Sequence, residues 1–135
     1  MIIEPLQNIY IGLGSNLGDR MAHLQKALDQ LFLRVGHVHQ ISRVYQSPAM
    51  GFSGEDFLNA VAFLQTDLAP EALMQELLSI ERDLGRLRVV SDEHAYSSRT
   101  IDLDLLAYGD LIQESSDLTL PHPRIQNRLF VFSHF

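Results

Sequence analysis

The chain has 135 residues, 46% hydrophobic and 20% charged, which is the size and composition of one soluble globular domain built on a single core. Its formal net charge of −7 argues against general affinity for nucleic acid or an anionic membrane surface, so an anionic substrate would need a local positive cluster. The absence of cysteine excludes disulfides, thiolate metal sites and cysteine nucleophiles. No stretch approaches the roughly 20 apolar residues of a membrane span, and the expectation is an untargeted cytoplasmic protein forming one domain over residues 1–135.

In chain order, Asn8 to Leu13 is short, β-branched and aromatic, and stops at the turn formers Gly14-Ser15-Asn16, which predicts a buried strand. Asp19 can cap a following helix whose Met21, Leu24, Leu28 and Leu31 recur at helical spacing up to Gly36. Val38 to Tyr45 has the β-branched content of a strand, Ser47 to Asp56 carries the Pro and Gly of a loop, and Phe57 to Thr66 is a mostly apolar strand. Pro70 and Glu71 open a second helix with Leu73, Leu77, Ile80 and Leu84 as its stripe and Gly85 as its terminator. Gly85 to Arg99 is polar and without period, hence a loop. Thr100 to Tyr108 is the clearest strand in the chain, and short extended pieces follow near Leu111-Ile112 and Leu118 to Leu120. Strand, helix, strand, strand, helix, strand is the order of a split βαβ α+β fold, an antiparallel sheet with both helices on one face and the other face available to a ligand.

Asp102 and Asp104 are two apart on a strand, so both carboxylates share one face while Ile101, Leu103 and Leu105 take the other. Adjacent carboxylates repel unless a cation lies between them, so the pair suits Mg²⁺. Spacing alone fits two solvated acids on an amphipathic strand equally well. The arginines tilt the balance: Arg99 immediately precedes the strand, and Arg86, Arg88, Arg124 and Arg128 lie in loops or element ends, with His122 between two prolines. Guanidinium groups beside a metal are a common means of neutralising a polyphosphate. Some of these arginines can instead pair with surface acids such as Glu81, Asp83 and Asp92.

Gly12, Gly14 and Gly18 do not have the spacing of a dinucleotide fingerprint or a P-loop, so turn formation is the better reading of them. Phe57 and Asn59 share one strand face, an aromatic plate beside an amide, which suits a flat heterocycle although a strand Phe is more often core. The six histidines lack metal-ligand spacing, and no Ser/His/Asp order persuades.

In order and spacing, GLGSNLGDR, SPAMGFSGEDFLNAV, IERDLGRLR, RTIDLDLLAYG and LPHPRIQNRLFVF together resemble the 6-hydroxymethyl-7,8-dihydropterin pyrophosphokinases of folate biosynthesis. The resemblance covers essentially the whole chain, and R-T-I-D-L-D-L-L with L-P-H-P-R downstream is its most specific part. It implies a ferredoxin-like fold and transfer of pyrophosphate from ATP to the pterin hydroxymethyl oxygen, with release of AMP. It implies that Asp102 and Asp104 bind two Mg²⁺ ions. Glu81, Arg86, Arg88, Arg99, His122 and Arg128 match positions that contact ATP or its phosphates, with Arg86, Arg88 and Arg99 in the catalytic set. Phe57, or Phe130 with a second ring, would sandwich the pterin, Asn59 would read its edge, and the backbone of Ser47, Pro48 and Met50 would close the pocket. ATP and the pterin are the expected partners, without nucleic acid or membrane, and a monomer is favoured. The chain departs from the family pattern at Tyr96-Ser97-Ser98, where Trp-Gly-Pro is usual in a loop expected to close over the nucleotide, and at Leu78, where many members are polar. It also stops at Phe135, inside a pattern that usually continues. A pterin-binding regulatory paralogue without catalysis is the alternative.

Overall fold

The computed structural model describes residues 5–48, 55–85, 100–115, 118–123 and 125. Within them the elements follow as β1 (Gln7–Ser15), α1 (Arg20–Arg34), β2 (Gly36–Ile41), β3 (Tyr45–Ser47), β4 (Phe57–Thr66), α2 (Pro70–Asp83), β5 (Asp102–Tyr108), β6 (Gln113–Glu114) and β7 (Thr119–Leu120). The main sheet runs β2-β4-β1-β5, with β3 also on β4, and every pairing in it is antiparallel. This is the split βαβ order expected of the ferredoxin-like class.

Alternation along the strands sorts side chains into two layers. Ile9, Ile11 and Leu13 of β1, Ala62 and Leu64 of β4, and Leu103 and Leu105 of β5 form one buried cluster with Leu24, Ala27 and Leu31 of α1 and Leu73, Leu77 and Ile80 of α2. Both helices therefore cover the same face. Each large apolar side chain removed from water there contributes about 1.5–3 kcal/mol. Among the described residues, the buried apolar group of the opposite face is small, Val61 and Leu106 with Tyr10, Tyr45 and Ile125 packed on them. No helix among the described residues is long and apolar enough to cross a membrane.

Local signals act as expected at the helix ends. Asp19 Oδ1 accepts from the Ala22 amide at 3.1 Å to cap α1. Pro70 stands in the first turn of α2, and Gly85, at φ +73°, lets the chain leave α2 in the left-handed conformation that side chains disfavour. Three expectations need correction. Met21 is 52% exposed and lies off the buried stripe of α1, which Ala27 shares instead. The stretch Val38 to Tyr45 is two strands, because the buried Ser42 hydroxyl accepts from the Val61 amide at 2.8 Å and so replaces a ladder bond with a side-chain one. Finally, β1 continues through Gly14 to Ser15, so Gly12 and Gly14 are strand residues rather than turn formers; of the three glycines considered, Gly18, at φ +72°, is the one that turns the chain.

Candidate active site

The helix-free face is organised by β1. Gly14 lies opposite Asn59 of β4 on one side and Asp102 of β5 on the other, and Gly12 lies in the same way between Val61 and Asp104. Two rows thus cross three strands, an acid at one end and the β4 residue at the other, with glycine in the middle. At strand spacings of about 4.8 Å, the Asp102-Gly14-Asn59 row spans roughly 10 Å, and no side chain rises from its centre. A Cβ built on Gly14 would come within 3.2 Å of Asn59 Oδ1 and 3.4 Å of Phe57 Cδ1. The glycine is what allows those two side chains to lie over β1. Sequence reasoning missed this role; the signal was available, since Gly12 and Gly14 are two apart, as are Asp102 and Asp104.

At the acidic end, Asp102 and Asp104 are half-buried on the helix-free face, and Leu103 between them is buried against the helices, as alternation predicts. A buried carboxylate fixes this strand from behind: Glu81 of α2, 3% exposed, accepts the Leu103 amide through Oε2 at 2.7 Å. Leu106 follows Asp102 and Asp104 by alternation onto the helix-free face. The strand bulges at that residue, where Tyr10 faces Ala107 but Ile11 faces Leu105, so that Tyr108 packs on the helix side. His122, which follows the cis Leu120-Pro121 peptide, donates its amide to Leu106 O at 2.8 Å. The PHP segment is thereby tied to β5, the strand that carries the two acids. Among the described residues no three His, Cys, Asp or Glu side chains converge on one point. Two carboxylates with an uncrowded glycine row beside them fit Mg²⁺, which commonly takes one or two protein carboxylates and completes its shell with substrate phosphates and water.

At the other end, Asn59 is 3% exposed, and its Nδ2 donates to Ser47 Oγ at 2.8 Å and Tyr45 O at 3.4 Å. Strand β3 therefore sets the amide plane before any ligand arrives. Ser47 is the direct partner of Phe57 in the β3–β4 ladder, and Pro48 follows it. The structure brings together Asp102, Asp104, Glu81 and His122 on and around β5, and Ser47, Phe57 and Asn59 around the start of β4. Arg86, Arg88, Arg99, Arg128, Met50 and Phe130 lie outside the described residues, as does the Tyr96-Ser97-Ser98 segment.

A sequence model of the 7,8-dihydro-6-hydroxymethylpterin-pyrophosphokinase (HPPK) family matches residues 10–135. The chain belongs to this family. A 2-amino-4-hydroxy-6-hydroxymethyldihydropteridine pyrophosphokinase of Porphyromonas gingivalis is 42% identical over 125 residues, which cover 91% of this chain and 84% of that protein. The protein of the same name from Synechocystis sp. is 41% identical over 122 residues, 90% of this chain and 60% of that one. The folic acid synthesis protein fol1 of Pneumocystis carinii is 41% identical over 124 residues, 91% of this chain but only 16% of the longer fungal protein. Relative to these last two, the chain spans less than two thirds of the curated relative's length.

Proposed function

We propose that the chain transfers the β,γ-pyrophosphoryl group of ATP to the hydroxymethyl oxygen of 6-hydroxymethyl-7,8-dihydropterin. The new bond joins that oxygen to Pβ as the hydroxyl proton passes to solvent, the bond from Pβ to the α,β-bridging oxygen breaks, and AMP leaves carrying that oxygen. The observation that carries this reading is the Asp102-Gly14-Asn59 row, a flat floor with a carboxylate pair at one edge and an oriented amide with an aromatic ring at the other. A planar heterocycle held by Phe57 and Asn59 would direct its substituent along the row toward the acids.

Asp102 and Asp104 would hold two Mg²⁺ ions. When bound, Mg²⁺ neutralises polyphosphate charge and orients the reacting oxygens. The chain's own residues position: Glu81 fixes the strand that carries the acids, and Ser47 fixes the amide of Asn59. His122, held beside β5, and the arginines Arg86, Arg88, Arg99 and Arg128 supply donors and positive charge for the phosphates. An otherwise acidic chain needs these cations at the site to receive a polyanion. Transfer of this kind requires positioning and charge neutralisation more than a protein nucleophile.

The test is to incubate the purified protein with Mg-ATP, with and without the hydroxymethyl pterin, and separate the nucleotides. AMP formed only with the pterin supports the proposal. ADP would point to ordinary kinase chemistry, and pterin binding without nucleotide turnover would point to a regulatory binding module.

A further inference from the structure

The segment between β1 and the first turn of α1 does more than connect them. Arg20, the first residue of α1, donates from Nη1 to the Asp56 carbonyl at 2.8 Å, and the buried Asn16 donates from Nδ2 to the Glu55 carbonyl at 3.2 Å. The two carbonyls are consecutive and stand immediately before Phe57. Arg20 also approaches the Glu55 carboxylate at 3.7 Å, but that acid is 67% exposed, and a contact of this kind contributes little. The charge-assisted bond to the peptide oxygen is the stronger of the two. It fixes the plane of the Asp56–Phe57 peptide and so restricts where the Phe57 ring can lie. Gly14 of β1, two residues before Asn16, passes beneath that ring.

We infer that Arg20 is a positioning residue for the pterin pocket: it clamps the backbone ahead of Phe57 so that ring and Asn59 amide are aligned before the heterocycle binds. This rests on the pyrophosphokinase reading and extends it to a residue at the opposite end of the row from the metal pair. Arginine suits the task because its planar, pre-organised fork presents the donor to the carbonyl in a fixed direction, whereas a lysine offers a point charge on a flexible stem. Loss of the clamp would leave Phe57 to be ordered by the ligand, at a cost to affinity for the pterin alone.

The test measures pterin affinity by equilibrium fluorescence titration, the two KM values and kcat, and the thermal midpoint, for Arg20→Met, Arg20→Lys and Glu55→Gln. The expected result for Arg20→Met is a pterin Kd raised about tenfold, as loss of one charge-assisted bond implies, with the KM for ATP within about twofold of the parent. Arg20→Lys should recover part of the loss, and Glu55→Gln should match the parent because the carboxylate is not the operative partner. An unchanged pterin Kd in Arg20→Met would overturn the inference while leaving the pyrophosphokinase reading intact. Equal rises in both KM values with a lowered thermal midpoint would also overturn it, since that is the pattern of general destabilisation; Arg20→Lys then decides if Arg20→Met does not fold, with the same split expected. A parent protein that binds no pterin and forms no AMP overturns both readings together.

Discussion

Glu81 reaches from α2 to the backbone of β5 and accepts the Leu103 amide at 2.7 Å, so the residue between Asp102 and Asp104 is fastened from the helix side of the sheet. Glu81→Ala would leave that amide without its acceptor in a buried place, a loss of about 1–3 kcal/mol. Displacement of the acid pair should cut AMP formation by about tenfold or more. Glu81→Gln keeps a carbonyl acceptor and should stay closer to the parent in both urea unfolding and turnover. Equal stability and turnover in Glu81→Ala and the parent would remove the bracing role.

Asp102→Ala and Asp104→Ala should each abolish pterin-dependent AMP formation. Both acids are half-buried on the face away from the core, so far-UV circular dichroism and the thermal midpoint should change little. Removing one of two neighbouring carboxylates also relieves their mutual repulsion. Near-normal turnover in both variants would end the metal assignment.

The glycine floor makes a separate prediction at Gly14, where an added methyl would stand 3.2 Å from Asn59 Oδ1. Gly14→Ala should weaken pterin binding several-fold, and Gly14→Val by about tenfold or more, as the larger branch displaces Asn59 and Phe57. Nucleotide affinity should hold, and titration of each ligand separately distinguishes the two effects.

On the helix side, Arg34 joins α1 to α2 through Glu76 at 2.6 Å and Asp83 at 2.8 Å, with Ser79 at 2.7 Å. The hydrogen bond to Glu76 is the main influence holding its guanidinium pKa above the ordinary arginine value, against the opposing effect of burial. Three shared partners make this more than an isolated surface pair. Arg34→Met should cost about 1–2 kcal/mol in urea unfolding and leave kcat unchanged, because the network lies behind the sheet.

Tyr108 donates its hydroxyl to Leu68 O at 2.6 Å. Burial, then the charges of Glu71 and Asp67, push its pKa upward. The folded value lies above the unfolded one, so this contribution to stability is whole below about pH 10 and is lost as pH rises through the folded value. Tyr108→Phe should be less stable than the parent by about 1 kcal/mol near neutrality. The difference should narrow when unfolding is repeated at about pH 10.5.

Much of this was legible before any coordinates. The two-residue period of TIDLDLL fixed which face carries the acids, because side chains alternate on a strand whatever surrounds it. Helix limits were readable from Asp19, Pro70 and Gly85, where capping and backbone freedom are local properties. The split at Ser42 was not, since its hydroxyl substitutes for a ladder bond only when Val61 lies beside it. Nor was the place of Gly12 and Gly14, because the same residue that favours a turn also suits a strand crossed closely by side chains from its neighbours.

The sequence by itself determined the strand faces, the helix ends and the family, all of which depend on the order and spacing of residues near one another in the chain. Only the tertiary structure decided that Asp102, Gly14 and Asn59 form one row, that Glu81 holds the strand of the acids from behind, and that Arg20 grips the peptide ahead of Phe57. Those relations depend on strand register and on contacts between segments 20 to 90 residues apart, and register is set by how whole faces pack, which no local pattern encodes.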